Sequence, residues 1–226
     1  MEISNTPLFG LTVTVAAFFG ATYLYTRIRW LHPLITTSGS IILLLVLMDI
    51  PYQEYKLGGD ILALLLGPAT VALAVPLYKH FEQMQKQVPI IVTGVLIGCM
   101  AGMLSAGGIV AALSGSRELM LTMIPKTVTT PIAIELVQVL GGAPELGAVL
   151  TVLTGLVGSM VGPKLLNLCG VKGDIALGVA IGTSSHGIGT ARLINESQIQ
   201  ASVSGFAMGL AGISLSILVI PLHYIL

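Results

Sequence analysis

Long apolar stretches follow one another along the chain, and short polar stretches separate them. A helix needs about 20 mostly apolar residues to cross a lipid bilayer. Eight stretches approach that length, at residues 8–26, 31–48, 61–78, 88–113, 119–140, 146–168, 175–194 and 201–222. This pattern predicts an all-α integral membrane protein, with residues 1–226 forming a single polytopic membrane domain.

Three of these stretches contain residues that interrupt a helix. Gly67-Pro68 interrupts the third, Pro125 and Pro131 interrupt the fifth, and a run of small polar residues at 182–190 interrupts the seventh. Irregular backbone at membrane depth survives only where protein buries it or a watery cavity solvates it. The interruptions therefore predict a polar site inside the membrane.

Two of the broken stretches begin alike, which indicates an internal repeat. Gly59-Asp60-Ile61 begins one and Gly173-Asp174-Ile175 begins the other, and a Gly-rich helix follows each stretch. We place the repeat halves at approximately 1–113 and 117–226. Interrupted segments at corresponding positions of two halves are typical of the binding site of a secondary transporter.

Basic residues predict the topology, because short cytoplasmic loops carry an excess of Lys and Arg. We place the basic residues near positions 27–29, 79–86 and 164–172 on the cytoplasmic side of the membrane. The fifth stretch must then enter and leave the membrane on the same side. The prediction is then about seven transmembrane helices plus a re-entrant segment, with the two repeat halves inverted. Arg117 and Lys56 fall on the other side and count against this arrangement.

Composition supports a membrane location and excludes several classes of function. Hydrophobic residues make up 54% of the chain and charged residues 9%, whereas about a quarter of the residues of a soluble domain are charged. Ten acidic and ten basic residues balance, so nucleic acid is not an expected partner. Cys99 and Cys169 lack metal-ligand spacing and are interpreted as packing residues. We expect neither a metal, a cofactor nor an enzymatic activity.

Each broken stretch supplies candidate substrate-binding residues. In the first, Pro68 removes a helix hydrogen bond, so that freed carbonyls and the Thr70 hydroxyl are available to a solute. The alternative is an ordinary proline kink packed by neighbouring helices.

In the second broken stretch, Lys126 lies between two prolines, and an ionisable group within a bilayer is by default a functional hypothesis. Thr129 and Thr130, together with Thr127, would complete a polar cradle; the alternative is that Lys126 extends to the membrane surface.

The third candidate region, residues 182–192, is the densest polar cluster in the chain. Its candidate residues are Ser184, Ser185, His186, Thr190 and Arg192. A histidine side chain ordinarily has a pKa near neutrality, so His186 is a candidate proton carrier; the alternative is a structural histidine between helices. The cluster lacks the phosphate-loop pattern. Adjacent Ser185 and His186 without a matched acid do not suit a hydrolase.

Together, residues 66–79, 125–133 and 182–192 resemble the LrgB/CidB family, and the resemblance covers essentially the whole chain. The resemblance implies a bacterial inner-membrane protein, first described as holin-like or antiholin, that acts with a small LrgA/CidA-like membrane protein on murein hydrolase activity and cell lysis. The plastid glycolate/glycerate translocator contains a similar region, and some bacterial relatives are associated with pyruvate uptake. The resemblance therefore also implies transport of small hydroxy- or keto-monocarboxylates.

These two functions make different demands on the sequence. A holin-like pore needs spans that oligomerise, whereas a secondary transporter needs broken helices around a buried polar site. The broken segments favour a transporter of small carboxylates, with Lys126 or Arg192 as the countercharge and His186 as a possible proton carrier. Helices rich in small residues are compatible with a homo-oligomer.

Overall fold

The computed structural model describes residues 6–28, 31–72 and 74–225, and it describes only the backbone of residues 70, 74, 76, 77, 83 and 223–225. These residues form helices and no strand, which confirms the all-α prediction for the described part. The α-helices are α1 (Pro7–Arg27), α2 (Pro33–Leu47), α3 (Tyr52–Leu64), α4 (Leu66–Ala72), α5 (Ala74–Lys79), α6 (Phe81–Met84), α7 (Val88–Ala112), α8 (Arg117–Met123), α9 (Thr130–Leu140), α10 (Pro144–Leu168), α11 (Asp174–Leu193) and α12 (Gln198–Ile225).

Four helical segments in the described residues are long and apolar enough to cross a membrane. They are Pro7–Arg27, Gln85–Ala112, Pro144–Leu168 and Gln198–Leu222. Their ends lie within a few residues of the predicted apolar stretches, because the same run of nonpolar side chains defines both. The apolar helices α2 and α9 are shorter. The total number of crossings is not settled by these four helices, and an inverted repeat with the predicted halves remains a prediction.

The chain forms two compact units, one ending at Val71 and the other beginning at Ala72. In the first unit, α1 and α3 approach until their backbones touch. A Cβ atom at Gly58 would lie 2.7 Å from the Cα atom of Gly10. The hydroxyls of Thr14 and Tyr55 are 2.9 Å apart across the same interface. Two glycines thus permit a helix contact that larger residues would prevent.

The interruption in the third apolar stretch lies at Leu65. Helix α3 ends at Leu64 and α4 begins at Leu66, so Pro68 lies in the first turn of α4. Backbone N–H groups in the first turn have no partner within the helix, so the N–H that proline lacks is not needed there. Gly59-Asp60 lies inside α3, whereas Gly173 is the residue that precedes α11. The two copies of the predicted repeat motif therefore differ in local structure.

The second unit is built around α7, α9 and α12. One buried apolar cluster joins side chains of these helices, with Val95 and Cys99 from α7, Ala133 from α9, and Ala207 and Ala211 from α12. The small side chains of this cluster bring the helices close together. The unit also contains α5, α6, α8, α10 and α11, and the last three of these carry most of the candidate site.

Helix α11 reverses direction at His186, whose backbone angles (φ 40°, ψ −135°) are not helical. A Cβ atom at Gly189 would lie 2.6 Å from Ile181 Cγ2 and 3.4 Å from the Ile181 carbonyl oxygen, although eight residues of straight helix span about 12 Å. Leu193 also shares a buried cluster with Ile181. Residues 174–185 and 187–193 therefore form a helical hairpin with its tip at His186. We predicted a break in this stretch but expected the chain to cross; instead it returns towards its starting end.

A second reversal occurs between α8 and α10. Residues 124–129 form a turn between α8 and α9, and the backbone N–H of Ala143, after α9, donates a hydrogen bond to Thr122 Oγ1 (2.9 Å). A Cβ atom at Gly142 would lie 2.7 Å from the same oxygen. The two ends of residues 122–143 thus lie side by side, as the predicted re-entrant segment requires.

Candidate functional site

We call the reversal between α8 and α9 the α8–α9 hairpin. This hairpin and the α11 hairpin approach each other along α7 from its opposite ends. Near the C-terminal end of α7, a Cβ atom at Gly107 would lie 3.7 Å from Met120 Cγ of α8. Nearer its N-terminal end, a Cβ atom at Gly94 would lie 3.2 Å from Val179 Cγ1 of α11. The hairpin tips consequently meet beside the middle of α7.

Two buried threonines lie where the hairpins meet α7. A Cβ atom at Gly98 would lie 2.9 Å from Thr183 Cγ2, and one at Gly102 would lie 3.3 Å from Thr127 Cγ2. The exposed fractions of Thr183 and Thr127 are 6% and 8%. Neither Oγ1 atom has a hydrogen-bond partner among the described residues. A buried hydroxyl without a partner is destabilising and needs an explanation, such as a ligand or water.

Both threonines line a cavity of about 700 Å³ between α7 and α11. Most of its wall is aliphatic, with Ile90, Ile97 and Val179 among the lining residues, and Ser184 contributes a third hydroxyl. The cavity extends from Gln87 and Gly173, which precede the two helices, to Gly102 and Thr127. It therefore leads from one end of the unit to the hairpin tips.

Lys126 lines a second cavity, of about 390 Å³, between the α8–α9 turn and α10. Its other lining residues are Met123, Leu150, Leu153, Thr154, Val157, Gly158 and Ser184. Within the described part of the chain, no carboxylate oxygen lies within 4.0 Å of the Lys126 ammonium. The ammonium is thus left without a counterion in mainly apolar surroundings.

Ser184, in the α11 hairpin, is a lining residue of both cavities. Its hydroxyl donates a hydrogen bond to the carbonyl oxygen of Ala180 (2.7 Å) and lies 3.1 Å from Ser185 Oγ. The structure therefore brings two of the predicted site residues, Lys126 and Ser184, to one cavity. Thr127 and Ser184 meet at the other.

His186 is buried between α11 and α10, with 3% of its surface exposed. Its Nε2–H donates to the carbonyl oxygen of Thr151 (3.0 Å), which fixes the proton on this nitrogen because a carbonyl only accepts. A Cβ atom at Gly155 would lie 2.7 Å from Nε2, so this glycine makes the space for the imidazole. The environment of His186 suits a structural role at the hairpin tip.

Ser185 and Thr190 are also buried in helix contacts. Ser185 Oγ presses against Gly158 of α10. Thr190 Oγ1 donates to the carbonyl oxygen of His186 (2.8 Å) and lies 2.8 Å from Ser204 Oγ of α12. The backbone of Ser204 also touches Gly182, in the first half of the hairpin. Ser204 thus contacts both halves of α11.

Arg192 is engaged by groups of the protein. Its Nε–H donates to Glu196 Oε1 (3.0 Å), and its NH1 group donates to the carbonyl oxygen of Ser159. This carbonyl lacks its helical donor, since the residue four positions later is Pro163, which has no N–H. Arg192 therefore satisfies a carbonyl that Pro163 leaves free, and this engagement weakens its case as the substrate countercharge.

The remaining predicted residues lie at helix starts. Thr129 precedes α9 without a side-chain capping bond, and Thr130 is its first residue. Pro68 and Thr70 lie in α4, in the first unit, and the side chain of Thr70 lies outside the described residues. Thr183 was not among the predicted site residues, although it lies within the polar cluster at residues 182–192. In the part of the chain that the structure describes, no group of three His, Cys, Asp or Glu residues could hold a metal ion.

Comparison with known proteins gives one family. Residues 14–225 match the model of the LrgB-like family. Two uncharacterised proteins of Bacillus subtilis (strain 168) are similar over 205 residues: YwbG is 37% identical and YxaC 34%. The aligned regions cover 90% of this chain in both cases, 91% of YwbG and 89% of YxaC. No solved structure matches the chain. By its apolar helices and its match over almost its whole length, this membrane protein belongs to the LrgB-like family.

Proposed function

We propose that the protein is a secondary transporter of small monocarboxylates, of the glycolate, glycerate or pyruvate type, in the bacterial plasma membrane. It would work with a small LrgA/CidA-like membrane protein. One observation carries this proposal: Lys126 lines a cavity beside a broken helix and has no carboxylate partner among the described residues.

The position of Lys126 supports a role in binding an anion. Its neighbour Thr127 packs against Gly102, which lies about 21 Å along α7 from Val88 and about 15 Å from Ala112. An ammonium near the middle of a membrane span requires a counterion or water. A small carboxylate entering the cavity would supply the missing charge, and the aliphatic wall would accommodate its carbon chain.

The directions of the two hairpins also favour a transporter. Helix α7 is followed by a hairpin that enters from the C-terminal end of α7. Helix α10 runs antiparallel to the first half of α11 and is followed by the α11 hairpin. This second hairpin enters from the N-terminal end of α7. We infer that α7 with residues 117–142, and α10 with residues 174–197, are inverted equivalents. Inverted repeats around a central site suit alternating access.

Transport by purified protein tests the proposal. The protein is reconstituted in liposomes with and without the LrgA/CidA-like partner, and uptake of radiolabelled glycolate, glycerate and pyruvate is measured under imposed pH gradients. We expect saturable uptake of at least one substrate. Absence of saturable uptake under every gradient would contradict the proposal. Leakage of a trapped dye from the same liposomes would instead support the holin/antiholin-like alternative.

Replacement of Lys126 by Met keeps the length of the side chain and removes its charge. Truncating one partner of a buried charge pair costs about 2–5 kcal/mol, so uptake should fall at least about thirtyfold with membrane abundance unchanged. Lys164→Met is the matched control, since Lys164 is an exposed lysine of α10. Equal uptake by both variants would mean that Lys126 is not the countercharge.

A further inference from the structure

The two cavities extend in opposite directions from Ser184. Helices α10 and α11 run antiparallel there: Cβ atoms at Gly155 and Gly162 would contact His186 and Ile181, respectively, so residue numbers rise along one helix as they fall along the other. The α7–α11 cavity follows α11 back from Ser184 to Gly173. The Lys126 cavity follows α10 back from Gly158 to Leu150. Antiparallel helices followed towards their N-termini lead to opposite ends of the unit.

The combined length of the cavities matches the thickness of a membrane. From Ser184 to Gly173 the first cavity extends about 16 Å along the helix axis, and from Gly158 to Leu150 the second extends about 12 Å. The hydrocarbon core of a bilayer is about 30 Å thick. Residues of both reversals line the cavities: Thr127, Thr183 and Ser184 line the first, and Lys126 and Ser184 line the second.

We propose that the two cavities are the two halves of one translocation path, that they meet at Ser184, and that the hydroxyls of Thr127 and Thr183 bind the substrate on the α7–α11 side of this junction. This inference rests on the proposed transport function. It adds the route and a second binding hydroxyl, that of Thr183, to the Thr127 hydroxyl that the sequence already places in a polar cradle.

The chemistry of the junction suits an anion. Thr127 and Thr183 each offer an uncommitted O–H donor, and both are more than nine-tenths buried. Lys126 is adjacent in sequence to Thr127, and neither cavity has an acidic residue in its lining. A cation would meet the Lys126 charge without a compensating carboxylate, whereas a carboxylate would gain both the hydroxyl donors and the ammonium.

Sided labelling tests the path independently of transport. Single cysteines replace Ala176, in the α7–α11 cavity, or Leu153, in the Lys126 cavity, in a Cys99→Ala/Cys169→Ser background. A membrane-impermeant thiol reagent is applied to right-side-out and inverted membrane vesicles. We expect the two positions to be labelled from opposite sides. Ile213→Cys is the control, because Ile213 is exposed on α12 and lines neither cavity. Labelling of both cavity positions from the same side, or no more labelling than at Ile213, would overturn the path.

Substitution by Val tests the binding hydroxyls, because Val retains the shape of Thr and removes the O–H. A hydrogen bond to a charged group contributes to the free energy of substrate binding. Its loss should therefore raise KM about ten- to hundredfold in Thr127→Val and Thr183→Val. Thr183→Ser keeps the hydroxyl and should restore most of the affinity. Thr93→Val is the matched control on α7, since the Thr93 hydroxyl already donates to the carbonyls of Pro89 and Ile90.

The outcomes separate this inference from the function on which it rests. If the wild-type protein transports no monocarboxylate, the proposed function fails, while labelling still decides whether the path exists. If the wild-type protein transports and the Val variants at 127 and 183 keep the KM of Thr93→Val, the two hydroxyls do not bind substrate. A transporting protein with both cavities labelled from one side would have its route elsewhere.

Discussion

Replacement of Gly155 by Ala should destabilise the α10–α11 contact at the hairpin tip. The added Cβ atom would lie 2.6 Å from His186 Cε1, 2.7 Å from Nε2 and 3.0 Å from Ile188 Cδ1. The imidazole cannot move away freely, because it is bonded to the Thr151 carbonyl and belongs to a residue with a positive φ. Either the two helices separate slightly, or the ring rotates and its hydrogen bond breaks.

The expected cost follows from these two routes. Overpacking a well-packed interior by one methyl group costs about 1–3 kcal/mol, and a lost hydrogen bond adds about 1 kcal/mol. Removing a glycine from a helix returns about 0.5–1 kcal/mol. The net loss is therefore about 2 kcal/mol, which corresponds to a fall in Tm of about 4–8 °C for a chain of this size.

Cys99 allows this loss to be measured directly. Its side chain is fully buried in the core of the same unit, whereas Cys169 is exposed. In a Cys169→Ser background, a thiol-reactive fluorophore should therefore report unfolding as Cys99 becomes accessible on heating. Gly209→Ala is the matched control, since a Cβ atom at Gly209 meets nothing within 4 Å. If Gly155→Ala melts at the same temperature as Gly209→Ala, Gly155 does not make the space for His186.

Two further predictions concern other contacts. Arg192→Gln should lower the free energy of unfolding by about 1–3 kcal/mol. The loss should be smaller in a Pro163→Ala background, because the N–H of the new alanine can then donate to the Ser159 carbonyl. Thermal melts of the four proteins test this, and equal losses in both backgrounds would contradict it. Gly58→Ala should disrupt the contact between α1 and α3 and lower the Tm by several degrees, about what overpacking of 1–3 kcal/mol implies. Gly59→Ala should leave the Tm unchanged, because its Cβ atom would lie 3.8 Å from the nearest atom, in the Tyr55 side chain. Equal Tm values for these two variants in circular dichroism melts would refute the close approach of α1 and α3.

The bounds of the four long apolar helices were predictable from sequence, whereas the direction of the chain after each break was not. Helix α7 follows from an uninterrupted apolar run, and α10 from one that contains Pro163 near its end. The glycines and hydroxyls around His186 indicate a break, but the reversal depends on Gly189 packing on Ile181. Such contacts across the break are invisible in the local pattern, so a crossing segment and a hairpin look alike.

The candidate site shows the same limit at the level of single residues. Thr183, Ser184 and Ser185 are consecutive small polar residues, and each is rotated by about 100° from the last on a helix. They therefore face α7, the cavities and α10, respectively. Sequence favoured Ser184 and Ser185 over Thr183, because the partner that distinguishes them, Gly98, lies 85 positions earlier. Lys126 stands out in the sequence because a charge between two prolines is unusual in an apolar segment, and its role in binding remains a prediction.

The contact of Ser204 with both halves of the α11 hairpin restricts how the protein can move. Ser204 touches Gly182 before the reversal through its backbone and Thr190 after it through its hydroxyl. Opening the hairpin at His186 would break one of these contacts, so Ser204 holds the two halves of α11 together. In the proposed transport cycle, access to the two cavities would therefore change while the hairpin tip stays closed.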